Sequence, residues 1–260
     1  MLPQSLQLSS AKAYALEAQQ NAVRALYGIA RSQAYAVGEY QIELLGSPKL
    51  ILLPSPFGLT DAAWQVITER VKAGATLLVT GPFDGDAHLH TTGRQDAIGI
   101  PYTTVPLTIR DQAAHFPWGD EALSFTGNKT TALSQAQTPD GDVWVERTLG
   151  KGRILFTALP VELSDNLELV GKAYRYALKV AGVAPVYTTT LTDPGILIAP
   201  TMFPAATLYV LTSESNRQQL AFDDVRSRRH FAGTLESGTA AIVLVGTDGK
   251  VLAAYNWPAQ

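Results

Sequence analysis

The sequence predicts an α/β domain built on a parallel sheet, followed by a small antiparallel all-β domain. Three observations carry this. Lys49–Leu53 (KLILL) and Thr76–Thr80 (TLLVT) are short apolar runs of strand length separated by a helical pattern, the alternation that builds parallel sheets covered on both faces. After Pro185 the pattern changes to short alternating or β-branched runs divided by turn residues. The chain has 260 residues, 46% of them hydrophobic and 17% charged, which is enough apolar material for a packed core.

Taken in order, residues 10–27 read as a helix. Ala15, Leu16, Ala22, Val23 and Leu26 recur near a 3.6-residue period, and Gly28 is the expected C-cap. Residues 33–37 are expected to form a short strand. KLILL, taken as a strand over 49–53, stops at Pro54-Ser55-Pro56, where a ladder cannot continue. Thr60 should cap a helix with Ala63, Trp64, Ile67 and Val71 on its apolar side and Gly74 at its end. Strand 76–80 comes next. Residues 82–142, rich in proline and glycine, are expected to hold loops and short strands. Residues 143–159 read as a hairpin turning at Gly150-Lys151-Gly152, whose second arm, Arg153–Thr157, rejoins the main sheet. Ser164 is the expected cap of a long helix with Leu167, Val170, Tyr174, Leu178 and Ala181 at helical spacing, ending at Gly182. The runs VYTTTL, GILIAPTMF, ATLYVLTS, RHFAGTL, AAIVLVG and KVLAAYN then supply the strands of the second domain, with turns at Asp193-Pro194-Gly195 and Asp248-Gly249. The expected domains are 1–184 and 185–260.

Composition excludes several classes. A net charge of −3 gives no electrostatic draw toward nucleic acid or anionic lipid. No apolar run approaches the roughly 18 residues of a membrane span, and the first twenty residues lack the layout of a signal peptide. Cytoplasm is the default expectation, although redox usage cannot report it. The chain has no cysteine, so disulfides, thiolate metal sites and a cysteine nucleophile are excluded.

Two stretches carry a family resemblance. SPKLILLPSPFGLTDAAWQVITERVKAGATLLVTGPF is similar to the middle domain of family 42 β-galactosidases, in which a strand ending in proline leads to a helix and then to a strand ending "TG". GKGRILFTALPVELSDNLELVGKAYRYALKVAGV resembles the end of that domain, and the trailing strands sit where those enzymes carry a small C-terminal β-domain. The match is specific over residues 48–83 and 150–183 and weak over 84–142. Ala73-Gly74-Ala75 departs from the paired glycines common in the family. The resemblance implies a flavodoxin-like fold of the class I glutamine amidotransferase type, without amidotransferase chemistry, that mainly builds trimers. It also implies a partner: the (β/α)8 barrel that precedes this part and holds the catalytic carboxylates, which needs about 250 residues of its own. The chain then reads as a non-catalytic accessory and oligomerisation part of a glycoside hydrolase, with no cofactor.

Residues 79–90 (VTGPFDGDAHLH) are the candidate site. Asp84, Asp86, His88 and His90 come after strand 76–80 at its C-terminal end, the edge where parallel α/β sheets bind ligands. If the stretch were extended, all four would share a face, and imidazole with carboxylate suits a divalent metal. That is the alternative reading: a stand-alone α/β hydrolase, metal-dependent, using this loop. No strong metal spacing such as HExxH is present. The resemblance instead implies that Asp84, Asp86, His88, His90 and Arg94 edge a sugar site or contact a neighbouring domain or subunit. They are expected to hydrogen-bond within the loop or to Arg94, whose planar fork matches a carboxylate. The plain reading is a solvated polar loop. Ser55 stands just after a strand but lacks the G-x-S-x-G elbow of a serine nucleophile. Asp120-Glu121 and Asp223-Asp224 are adjacent carboxylates, which on a strand point to opposite faces. Trp118 and Trp144 read as packing residues before sugar platforms. Arg226, Arg228, Arg229 and His230 read as a solvated hairpin turn, too few for a nucleic-acid patch.

Overall fold

A computed structural model describes residues 12–88, 90–108, 111–193 and 195–257. The chain divides into two compact units: Met1–Ala22 with Tyr35–Val183, and Val23–Ala34 with Ala184–Gln260. Residues 23–34 thus group with the β unit, although the sequence places them in the first domain.

The chain opens with α1 (Lys12–Arg24), which passes into a π-helical turn at Ala25–Ile29. Gly28 lies buried inside that turn and does not end the helix. The strand expected at 33–37 is absent. Those residues run without a ladder partner to Gly38, where a 3₁₀ segment, Glu39–Leu45, begins. Tyr35 is left 90% exposed while Val37 is buried at 8%.

The first unit is built on a mixed sheet. Strands β1 (Leu50–Leu53), β2 (Thr76–Thr80), β7 (Trp144–Leu149) and β8 (Gly152–Thr157) lie in the order β1-β2-β8-β7. The first three in that order are parallel, and β7 closes the edge antiparallel as the other arm of the β7–β8 hairpin. Every residue of β2 is buried, as expected of a central strand covered on both faces. Helix α2 (Asp61–Ala73) packs Ala63, Ile67 and Val71 into a core with Ile51, Leu77, Val79, Ile154 and Phe156. Thr60 caps it as predicted, its side chain accepting from the Ala63 amide at 3.3 Å, and Gly74 ends it at φ 130°.

Residues 81–142 contain the one-turn helices α3 (Arg94–Ala97) and α4 (Lys129–Ala132) and two small antiparallel pairs. One pairs β3 (Thr103–Pro106) with β6 (Ser134–Gln137), and the other is the hairpin of β4 (Asp111–Phe116) and β5 (Gly119–Ser124). Helix α5 (Leu167–Val180) closes the unit. Its cap is Asn166, whose side chain accepts from the Leu169 amide at 3.0 Å. The expected cap, Ser164, stands two residues upstream and donates to the Val161 carbonyl within the preceding turn.

The second unit has two antiparallel sheets that share one core. β10 (Ile196–Met202), β11 (Ala206–Ser213), β14 (Ala240–Gly246) and β15 (Val251–Tyr255) form the larger, in that order. β13 (Arg229–Leu235), β12 (Gln218–Asp224) and β9 (Tyr187–Thr188) form the smaller. Tyr187, Ile198, Tyr209, Leu211, Phe222, Phe231, Val243 and Trp257 pack between them. β12 was not anticipated. Its inward residues are Leu220, Phe222 and Asp224, and a buried aspartate interrupts the apolar signal. Asp224 is compensated by Tyr209 OH at 2.5 Å and the Ser227 amide at 2.7 Å. Arg31, at φ 55°, fixes segment 23–34 in this unit by donating to the carbonyls of Ile196 (2.8 Å), Leu191 (3.0 Å) and Asp193 (3.1 Å). Pro194, the middle of the expected turn at 193–195, lies outside the described residues. No helix among the described residues is long and apolar enough to cross a membrane.

Candidate functional site

The C-terminal edge of β1 and β2 carries the candidate loop. After Thr80 the chain turns at Gly81, and Pro82 cannot extend the ladder. Gly85 is the pivot of the loop: it bridges Gly58 in parallel and Thr91 in antiparallel fashion. The approach is close enough that a Cβ on Gly58 would stand 2.7 Å from the Asp86 carbonyl, so only glycine fits there. The loop then closes on itself through Asp86 N to His90 O at 2.9 Å and Thr92 N to Asp84 O at 2.8 Å.

The four candidate side chains do not share one face. Asp86 turns back into the loop, where its Oδ1 accepts from the amides of His88 (2.7 Å) and His90 (2.8 Å) and its Oδ2 lies 3.3 Å from His90 Nδ1. The His90 amide, with that of His88, holds the Asp86 carboxyl below its usual range against a smaller opposing effect of desolvation. Asp84 points elsewhere, accepting from Thr104 Oγ1 at 3.2 Å beside the Tyr102 hydroxyl, which itself accepts from the Phe83 amide at 2.8 Å. Burial raises the Tyr102 hydroxyl above its ordinary value, so it stays neutral. The two imidazoles stand 6.0 Å apart, both exposed. Among the described residues no three histidine, aspartate or glutamate side chains converge as a metal-binding group.

Arg94 does not pair with the loop carboxylates as expected. It is 4% exposed, donates to the carbonyls of Leu59 (2.9 Å) and Gly85 (2.8 Å), and pairs with Asp61 at the start of α2. Its guanidinium lies 6.0 Å from the Trp64 ring centroid. The isolated expectation of a carboxylate fork missed the competing need of two buried carbonyls. Arg94 is therefore the clamp that holds the loop onto the sheet edge, while the rings of His88 and His90 lie exposed on the loop.

A second polar group lies beneath this edge and was not foreseen. Ser55, at φ 42° and only 2% exposed, stands just after β1. Its Oγ is 2.8 Å from Glu162 Oε2, and its amide donates to Thr80 Oγ1 at 2.8 Å. Thr80 Oγ1 lies 2.5 Å from Glu162 Oε2, and Tyr174 OH donates to Oε1 at 2.8 Å. Glu162 is fully buried, and burial pushes its carboxyl up despite these three hydroxyls. A serine nucleophile must be reachable and held beside a base. Here the hydroxyl is enclosed and bonded to a buried carboxyl whose pKa burial raises, so the group works as a tie between β1, β2 and α5. The sequence signal was the polar pair Ser55 and Thr80 at the ends of adjacent buried strands.

The other candidates separate. His115 and Asp120 pair at 2.7 Å on one side of β4–β5, while Glu121 accepts from Trp118 Nε1 (3.0 Å) and Lys172 (2.7 Å) on the other. Asp223 pairs with His230 as Asp224 turns inward. Trp118 and Trp144 pack edge to face, 5.4 Å apart, with Phe116 and Tyr176 around them. Arg226 donates to the Phe203 carbonyl and Arg229 to that of Gly249, at and beside the β12–β13 turn.

These features define an α/β unit with a loop clamped at its strand ends, joined in sequence to an antiparallel β unit. No protein-family profile and no curated protein matches the sequence. Solved structures do match. A catalytic mutant of a GH42 β-galactosidase from G. stearothermophilus superposes with a TM-score of 0.65 at 12% identity, over 90% of this chain and 36% of that one. The β-galactosidase from Bacillus circulans sp. alkalophilus gives 0.64 at 13% identity, over 91% and 38%. That from the haloarchaeon Halorubrum lacusprofundi gives 0.54 at 18%, over 88% and 35%. The chain thus has the fold of a part of family 42 β-galactosidases and spans little more than a third of their length.

Proposed function

We propose that this chain serves as the accessory and assembly part of a glycoside hydrolase of β-galactosidase type, with bond cleavage carried out by a separate (β/α)8 barrel. The observation that carries this is the coverage: nine-tenths of the chain corresponds to about 36% of each β-galactosidase. In this reading the α/β unit is a reduced flavodoxin-like layer of the amidotransferase type that supports trimer formation. The clamped loop with Asp84, Asp86, His88 and His90, backed by Arg94, edges a sugar site or a neighbouring subunit. The alternative of a stand-alone hydrolase gains nothing from the geometry. The Asp86 carboxylate is committed to its own loop, and Ser55 is enclosed.

A chromogenic β-galactoside assay on the purified chain tests the proposal, with no turnover expected. Hydrolysis that disappears on replacing one carboxylate of this chain would overturn it, because cleavage by an acid and nucleophile pair would then reside here. A barrel-coding frame in the same transcript is the matching positive expectation.

A further inference from the structure

The first unit contains a cavity of about 470 Å³ at the C-terminal end of β8. One wall is the β3–β6 pair, at Val105, Pro106 and Gln135 to Gln137, continuing to Thr108. The opposite wall is the tight turn from Thr138 to Val143, and the chain leaving β8 at Ala158 and Leu159 completes it. The walls are fixed by backbone bonds: Ala136 N to Ala158 O at 2.8 Å, Ala158 N to Val143 O at 2.8 Å, and Gly141 N to Thr138 O at 3.1 Å. Two further bonds prop the entrance, Thr108 N to Gln135 Oε1 at 3.0 Å and Thr138 Oγ1 to the Asp142 carbonyl at 3.0 Å. The space is preformed and is large enough for a small ligand.

Its chemistry is selective. Among the described residues no lysine, arginine or histidine lines it, and Asp142 adds a carboxylate, so the described lining disfavours an anion. The polar groups left over are those that hydrogen-bond hydroxyls. Gln135 uses its oxygen on Thr108 and keeps its amide NH₂, while the Gln137 amide and the Asp142 carboxylate have no partners among the described residues. Val105 and Pro106 supply an apolar surface for C–H groups. We propose that this cavity is a binding site for a neutral polyhydroxylated molecule of about one sugar ring. Gln135, Gln137 and Asp142 hold its hydroxyls, and Val105 and Pro106 pack against its C–H groups. The site is distinct from the clamped loop and needs no second chain.

Ligand-observed NMR titration of the full chain with galactose, glucose and galactose 6-phosphate tests this. Saturable binding of at least one neutral sugar, with a Kd on the order of millimolar for so few contacts, is expected, with the phosphate ester weaker. Gln137 and Asp142 are exposed, so Gln137→Ala and Asp142→Ala should leave the fold intact and each weaken binding about fivefold or more. His230→Ala, an exposed residue that does not line the cavity, should leave it unchanged. Absence of saturation by both neutral sugars, preference for the phosphate ester, or unaltered affinity in both Gln137→Ala and Asp142→Ala would each overturn the proposal. The readout is binding by this chain, so its failure is separable from a failure of the accessory-part reading, which is judged by turnover.

Discussion

Glu162 is the residue on which local chemistry bears most heavily. A carboxylate taken out of water without a cation is costly, and three hydroxyls offset only part of that cost. The outcome is a carboxyl whose pKa lies above the ordinary 4.5 in the folded chain. The linkage then has one sign. The folded state holds the proton more tightly than the unfolded state, so the contribution to stability is complete below pH 4.5. It declines as pH rises above that value toward the folded pKa. Glu162→Gln keeps the shape and one acceptor while removing the charge. Urea unfolding at about pH 5 and about pH 8 should show a smaller loss of stability between the two in the variant than in the native chain. An unchanged slope would place the pH dependence elsewhere. Arg94 is a contrasting case, a buried cation paired with a carboxylate, its donors meeting two carbonyls and Asp61.

At the scale of elements, the β7–β8 hairpin and the end of α2 depend on each other. The Lys151 amide donates to Lys72 O at 3.0 Å, and the Arg153 amide to Ala75 O at 3.2 Å, so the turn satisfies carbonyls at the helix C-terminus. Gly152 lies against the backbone there, and an added Cβ would collide with the carbonyl oxygens of Val71 and Ala75. Its φ is not in the left-handed region, so alanine is disfavoured by space alone. Gly152→Ala should destabilise the chain by about 3 kcal/mol, an overpacking cost against backbone that cannot yield. A change below ~1 kcal/mol in chemical denaturation would mean that the hairpin shifts away from α2 without penalty. The turn at Gly150-Lys151-Gly152 was legible from its glycines. Its docking on α2 was not, because no local pattern encodes a contact between segments so far apart in the chain.

At the scale of the whole molecule, the proposed role requires association with other chains. Sedimentation at several concentrations should show self-association toward a trimer. A monomer at the highest concentration would mean that assembly needs the barrel or does not involve these surfaces. Interfaces of this kind are built from buried aromatic and apolar anchors with few charges. Leu44, Leu252 and Tyr255 are among the large apolar side chains left exposed in the single chain.

The sequence by itself determined the elements whose signal is local. Continuous apolar runs gave β1, β2 and β8; Thr60 and Gly74 marked the ends of α2; and the change of pattern after Pro185 announced a run of short strands. The tertiary structure alone decided the rest. Asp86 turns to the amides of its own loop because the turn brings the His88 and His90 N–H groups within hydrogen-bond reach. Arg94 goes to Leu59 and Gly85 because buried carbonyls must be met. Residues 33–37 form no strand because no neighbour offers them a ladder, and β12 tolerates Asp224 because Tyr209 and Ser227 reach it from elsewhere in the fold. Propensity and periodicity act between near neighbours, whereas hydrogen-bond satisfaction and burial are settled among all groups that folding brings together.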